Sequence, residues 1–379
     1  HAMTQLPLKD ILPMDVVATS DTTWVLSQDN KVYAIGSVYN YSEDLIPGDI
    51  ISINIFDFDL GCTVRCIDEP IEIKFPALSE NDHIQKIVAG TGCTFFISAS
   101  GRLFTMGLNH NTLGNSLAAN GGDVLSGPTE IFLEHELKVK DVAHGRHHLM
   151  VLTEYSVYAI GQNLNGMLGI DTNDEPLHFL LPVFHSIQPL ESIQTTHHGH
   201  LASDDYASST TVLTNSGKVY VWGDNKTRQL SLGDIDFVSQ PTRVPDLNNI
   251  KEISSIGKMN FYFNESGEVL AAGNEHLDVP TLYPTLKDMV VTTLYHDSTA
   301  VVCVDDKQQA YTLNAYGQKT SAFNRNALID LAIKDKTTVA DGLYFQFGQS
   351  ETQAHAKQPE IKSEEEEVPL QLNNKSKPK

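Results

Sequence analysis

Leu213-Thr214-Asn215-Ser216-Gly217-Lys218-Val219-Tyr220-Val221-Trp222-Gly223 reads as two short alternating runs joined by a tight turn. Asn215, Ser216 and Gly217 are turn formers, and the alternation on either side puts one face of each run in a core. The second run follows a pattern: Gly or a polar residue, any residue, an apolar one, an aromatic, any, an apolar one, Gly. It returns as Asn30 to Gly36, Gly101 to Gly107 and Tyr155 to Gly161. Weaker copies are Gly267 to Gly273, Gln308 to Asn314 and Gly342 to Gly348. The seven anchors, at 36, 107, 161, 223, 273, 314 and 348, lie on average about 52 residues apart. A second alternating run precedes most of them, as in Val88 to Ser98 and Val142 to Leu152.

Short strands at that period point to a propeller, because one small sheet cannot bury both its faces alone. The expected fold is all-β: one seven-bladed β-propeller over residues 3–349, followed by a disordered polar tail over 350–379. Closure is expected between N- and C-terminal strands, with the strands around Val16 to Gly36 pairing C-terminal ones, since a closed ring leaves no exposed sheet edge. Trp-Asp repeats are excluded, because the one Trp aligned with an anchor is Trp222 before Gly223. Kelch repeats are excluded too, because the chain has a single Gly-Gly doublet, Gly121-Gly122.

The repeat resembles that of the regulator of chromosome condensation family. The third unit carries Val142-Ala143-His144-Gly145-Arg146-His147-His148, then Val157-Tyr158 and Gly161-Gln162-Asn163 with Gly166, Leu168 and Gly169. The fourth keeps Leu213-Thr214, Gly217, Val219-Tyr220, Trp222-Gly223, Asn225 and Gln229-Leu230. The second keeps Val88-Ala89-Gly90 and Gly107-Leu108-Asn109, with Cys93 where the family motif has His. The resemblance covers roughly residues 15 to 348 and implies a propeller. It also implies a protein of the exchange-factor type, whose founding member wedges a hairpin into the nucleotide site of a small GTPase.

The charge balance narrows the partners. Lys and Arg number 26 against 48 Asp and Glu, a net of −22. The tail from Ser350 holds six acids and five lysines, so about −21 belongs to the folded part. Nucleic-acid phosphates and anionic membranes both need a basic face, so neither is the expected main partner. No apolar run approaches the ~18 residues of a membrane span. Four scattered cysteines (Cys62, Cys66, Cys93, Cys303) do not form a disulfide framework, which points to a reducing compartment. A cytoplasmic monomer is expected, or a bacterial effector acting in a host cytosol.

Three segments break the period. Ser37 to His83 is long for one connection, His185 to Ser209 is irregular where a strand belongs, and the last two units are short enough to lack outer strands. The histidine groups 144, 147, 148 and 197, 198, 200 raise a metal reading, since three ligands and a water make a catalytic zinc site. The first group falls on the repeat motif and the second has no partner carboxylate at a ligand spacing, so no metal is assigned. Cys62 and Cys66 lack a second pair. No phosphate-binding loop, nucleophile elbow or His-Glu-x-x-His helix is present. No cofactor is expected, and enzymatic activity is left open between none and nucleotide exchange.

What remains is presentation of loops to a protein. The expected partner-binding residues are Asp204, Asp205, Tyr206 and His198 in the irregular segment, with Arg146 and His147 flanking it if the two loops share a rim. By the resemblance, the partner is a small GTPase. An exchange factor speeds nucleotide loss by stabilising the nucleotide-free state, and Asp204 and Asp205 would draw the GTPase's phosphate-binding Lys away from the nucleotide. The other reading is a scaffold that recruits a protein without exchange.

Overall fold

Gly223 pairs with Ser209 across two antiparallel strands at a φ of +98°, a conformation that excludes side chains. A Cβ there would fall on the Ser208 carbonyl. The same pairing recurs as Thr22 with Gly36, Cys93 with Gly107, His148 with Gly161 and Met259 with Gly273. Every one of these glycines has φ between +98° and +123°. These five sequence anchors are therefore one backbone position, repeated.

In this computed structural model the described residues are 3–5, 8, 10–18, 22–39, 52–57, 62–90, 93–108, 124–145, 147–196, 208–274, 277–283, 286, 289–296, 301–307, 309–313, 319–324 and 338–340. Among them, the strands form six sheets of four or five strands and one of two. The first sheet runs Pro13–Ala18, Thr22–Ser27, Val32–Tyr39, Cys62–Ile73 and Ser52–Asp57. The second is Ile84–Gly90, Cys93–Ser98, Leu103–Leu108 and Val124–Ile131. The third is Asp141–His144, His148–Leu152, Ser156–Gly161 and Leu177–His185. The fourth is Leu190–Thr195, Ser209–Thr214, Val219–Asp224 and Phe237–Arg243. The fifth is Ile250–Ile256, Met259–Asn264, Val269–Gly273 and Leu277–Leu282, and the sixth Val291–His296, Val301–Asp305, Gln309–Leu313 and Lys319–Asn324. All neighbours in these sheets are antiparallel.

The chain divides into two units. One holds the first, second and sixth sheets with the two-stranded one, and the other holds the third, fourth and fifth. In the first unit, Trp24 of the first sheet packs edge-on to Phe96 of the second at 5.3 Å between ring centres. In the other, Phe184 of the third sheet lies 4.9 Å from Tyr220 and 6.1 Å from Trp222 of the fourth. Trp222 is fully buried and its indole N–H donates to the Met167 carbonyl at 3.1 Å. The repeated aromatics thus serve sheet-to-sheet packing: Phe104 and Tyr220 are buried, Tyr33 and Tyr158 half-buried. Phe345 lies outside the described residues.

The long Ser37 to His83 segment contributes Ser52–Asp57 and Cys62–Ile73, a hairpin that gives the first sheet a fifth strand. Three expectations are corrected. The His185 to Ser209 segment does hold a regular strand, Leu190–Thr195, which opens the fourth sheet and pairs with Ser209–Thr214. The sixth unit keeps its fourth strand, Lys319–Asn324, paired with Gln309–Leu313. The strands of Val16 to Gly36 pair with one another and with Cys62–Ile73, whereas the chain's ends meet through Met3–Gln5 and Thr338–Ala340. Alternating apolar residues satisfy the Val16 to Gly36 run locally, so it has no need of a distant strand. The seventh anchor, Gly348, and the tail lie outside the described residues.

A second repeat sits in the fourth strands. Opposite two residues of the third strand stand four of the fourth, as Gly223 pairs Val238 while Val221 pairs Thr242. The same excess of two occurs between Ile67 and Ile71, Leu125 and Thr129, Leu177 and Leu181, and Leu277 and Thr281. The residue just before re-entry is Pro70, Pro128, Pro241 or Pro280, and Leu180 in the third sheet. A proline donates no hydrogen bond, so it suits a bulged edge strand. The bulges also receive neighbours: Gly166 of the third sheet's loop abuts Ser239, and Gly233 of the fourth's donates its N–H to Asp278 O at 2.8 Å.

Candidate partner-binding end of the sheets

What remains of the irregular segment, the 196–208 connection, leaves and re-enters the fourth sheet through four buried hydroxyl residues, Thr195, Thr196, Ser208 and Ser209. Thr196 N–H donates to Ser209 O at 2.9 Å, and Ser209 N–H donates to Thr196 Oγ1 at 3.0 Å. The two side-chain hydroxyls meet at 2.5 Å, and Thr195 Oγ1 donates to Ser209 O at 3.0 Å. Ser208, 5% exposed, places its Oγ 3.3 Å from His148 Nε2 and 3.7 Å from Met167 Sδ. Its carbonyl accepts the Asp224 N–H at 3.0 Å. The neck of the 197–207 connection is thus closed like a zipper and fastened to the third sheet.

His148 opens the second strand of the third sheet, as Ser209 does in the fourth. The connections 145–147 and 196–208 therefore leave adjacent sheets at the same end, which the sequence left open. His148, not His147, makes the link. His147 is half-buried, and its carbonyl accepts the Gln162 N–H at 2.9 Å. Arg146, His198, Asp204, Asp205 and Tyr206 lie outside the described residues. His144 is buried beside Gly145 O at 3.4 Å, and burial holds its imidazole neutral with a pKa of about 4. Cys93, at the register position of His148, has its thiol pushed up to about 12 by burial.

Two loops at this end are hung on one asparagine each. Asn163 donates to Ile170 O at 2.8 Å and Thr172 Oγ1 at 2.7 Å, and its Oδ1 accepts Leu168 N–H at 3.0 Å. Asn225 donates to Ile235 O at 2.7 Å and Gly233 O at 3.3 Å, and accepts Leu230 N–H at 2.8 Å. A buried polar chain ties the three sheets together here. Asn165 donates to Asp224 Oδ1 at 3.2 Å, and Gln229 Nε2 to Asp224 O at 2.9 Å. Asn260 Nδ2 donates to Gln229 O at 2.7 Å and Thr211 Oγ1 at 3.0 Å. Satisfied networks of this kind rigidify the loops they hold.

Sequence reading missed this framework. Its signal was present in the polar run Ser208 to Thr211, where a buried strand would ordinarily be apolar. Among the described residues, no three His, Cys, Asp or Glu side chains gather as a metal site. Cys62 and Cys66 share one strand, which sets their Cα atoms about 13 Å apart, too far to grip one zinc. No helix among the described residues is long and apolar enough to cross a membrane.

Antiparallel four-stranded sheets repeated on one anchor register define a repeat protein of the β-propeller class. Residues 216–257 match the Regulator of chromosome condensation (RCC1) repeat. The chain is 28% identical over 204 residues to the dog (Canis lupus familiaris) X-linked retinitis pigmentosa GTPase regulator, covering 53% of this chain and 18% of that protein. It is 30% identical over 226 residues to the ultraviolet-B receptor UVR8 of Arabidopsis thaliana, covering 58% and 48%. The chain therefore spans less than half the length of these relatives. Human WBSCR16 superposes with a TM-score of 0.62 at 15% identity over 84% of each chain. Yeast RCC1 (Prp20), seen bound to Kap60, gives 0.55 at 15% over 89% of this chain and 75% of that one. At 15% identity these are likenesses of fold.

Proposed function

We propose that the chain binds a small GTPase through the end of the third and fourth sheets where the 197–207 connection emerges, and promotes release of its nucleotide. The observation that carries this reading is the His148–Ser208 contact, which fixes the neck of that connection to the neighbouring sheet. A fixed neck lowers the ordering cost of binding. The names of relatives support the GTPase reading: one is a GTPase regulator, and a Dictyostelium discoideum protein, 31% identical over 157 residues, is named Ras guanine nucleotide exchange factor C. The chain's share of that last protein is 11%. Asp204 and Asp205 compete for the GTPase's phosphate-binding Lys and Tyr206 supplies an apolar anchor, with Arg146, His147 and His198 beside them. The six sheets and the pairing of the chain's ends support a seven-bladed ring over 3–349 acting as a monomer, with 350–379 outside the core.

The test is nucleotide release from Ran-like and Rab-like GTPases, with and without the protein. Acceleration by wild type and its loss in the Asp204→Ala, Asp205→Ala, Tyr206→Ala triple variant, at unchanged melting temperature, is the expected result. Binding without acceleration would favour a recruiting scaffold. Undiminished exchange by the triple variant would move the site to the Ser37 to His83 region.

A further inference from the structure

We propose that Ile235, Phe237 and Val279 form a docking surface for a protein segment that carries basic residues around a large apolar side chain. These three side chains are 42%, 52% and 50% exposed. Ile235 and Phe237 lie at the end of the fourth sheet's loop, and Val279 in the fifth sheet's bulge. The bond from Gly233 N–H to Asp278 O, 2.8 Å, sets the two segments side by side.

The loop cannot collapse to hide them. Ile235 O accepts from Asn225 Nδ2 at 2.7 Å and from Arg228 Nη1 at 3.0 Å, and Asp236 O accepts the Asn225 N–H at 2.8 Å. Arg228 also pairs with Asp234 and reaches Asp236 at 3.4 Å. The main chain is held inward by these bonds, so the intervening side chains face out. The equivalent loop of the third sheet, hung on Asn163, exposes Asp171, Asn173, Asp174 and Glu175 at its tip. One framework thus presents a wholly polar tip in one sheet and, in the next, a tip where Ile235 and Phe237 alternate with Asp234 and Asp236. Isolated exposed apolar residues need no explanation, but three on adjoining, rigidly held segments mark a surface for a partner.

Charge selects the occupant. Asp234 and Asp236 expose 86% and 75% of their side chains, Asp278 is exposed as well, and Arg228 answers only part of their charge. A second copy of a chain carrying −22 is repelled, whereas lysines or arginines framing an apolar anchor meet the aspartates at the rim. This surface does not depend on the exchange reading.

The probe is a fluorescein-labelled hexapeptide, Leu-Phe flanked by two lysines on each side, followed by anisotropy at about 50 and about 300 mM salt. Binding should weaken with salt, and about tenfold in the Ile235→Ser, Phe237→Ser, Val279→Ser variant, while the 204–206 alanine variant binds like wild type. If the triple serine variant does not fold, Phe237→Ser alone serves, with about a threefold loss expected. Equal binding by the serine variants, or by a glutamate-flanked peptide, would overturn the proposal. So would self-association in sedimentation that the serine variant abolishes, because the occupant would then be a second copy.

Discussion

His148 of the third sheet and Ser208 of the fourth meet at 3.3 Å, sixty residues apart in sequence, at the point where the irregular 197–207 connection rejoins the fold. Both are buried. The contact makes the position of one sheet's loop a property of its neighbour. Replacing His148 by Ala should lower the melting temperature, since the buried hydrogen bond contributes about 1 kcal/mol and the deleted ring leaves a cavity beside it. It should raise the rate of proteolysis across 196–208 more than elsewhere. Equal protection in variant and wild type, read by mass spectrometry of the fragments, would assign the neck's hold to Thr196 and Ser209 alone.

Trp222→Ala should cost about 3–5 kcal/mol, the range for deleting a buried Trp. The side chain fills the space between Phe184 and Gly169, and the Met167 carbonyl would lose a donor. Trp222→Phe should recover much of the packing and none of the hydrogen bond. Urea midpoints of the two variants separate these contributions.

Asn225→Ala should destabilise by about 2 kcal/mol, because it leaves the buried Leu230 N–H and the half-buried Gly233 O without a side-chain partner. Arg228 still serves Ile235 O, so the loop's tip is partly kept. The same change should abolish peptide binding to the Ile235 surface if rigidity is what presents it. Anisotropy with the hexapeptide checks that.

The pH dependence has two opposed contributions. His144 has a pKa of about 4 in the fold against 6.5 unfolded, so the unfolded chain binds the extra proton first. Stability from this group is complete above pH 6.5 and falls as the pH drops toward 4, by about 2 kcal/mol between pH 7 and 5. Glu252, half-buried, has its carboxyl raised to about 7 by burial. Its folded form holds the proton more tightly, so it opposes stability as the pH rises from 4.5 through 7. Chemical unfolding of His144→Asn should show less loss on acidification than wild type, and Glu252→Gln less loss on raising the pH. Parallel curves for wild type and both variants would refute the assignment.

The hairpins were legible because each needs only a turn and a few alternating residues. Ser98-Ala99-Ser100-Gly101 and Thr214-Asn215-Ser216-Gly217 also show why the turn reads so clearly. Ser98 Oγ and Thr214 Oγ1 accept the N–H of Arg102 and Lys218, at 3.0 and 3.1 Å. The fourth strands were hidden because they carry no alternating apolar run: in Phe237–Arg243 the one buried residue is Pro241, and a bulge interrupts the pairing. Their proline offered a second repeat, unread because its distance from the anchor glycine varies. The site was half legible: the irregular segment stood out by breaking the period, but the residues that fasten it sit at the very ends of strands or one position beyond them. The polar run Ser208 to Thr211 marks the place, but the partner of Ser208 shows only when His148, sixty residues away, is set beside it.

That varying distance has a practical meaning. From anchor glycine to bulge proline the chain runs 34 residues in the first unit (Gly36 to Pro70), 21 in the second (Gly107 to Pro128), 18 in the fourth (Gly223 to Pro241) and 7 in the fifth (Gly273 to Pro280). The register on both sides is the same in all four. Between those two fixed points the fold is indifferent to length, so foreign peptides of some twenty-five residues spliced after Asn274 should be carried as cargo without disturbing the sheets. The molecule comes with its own graft sites.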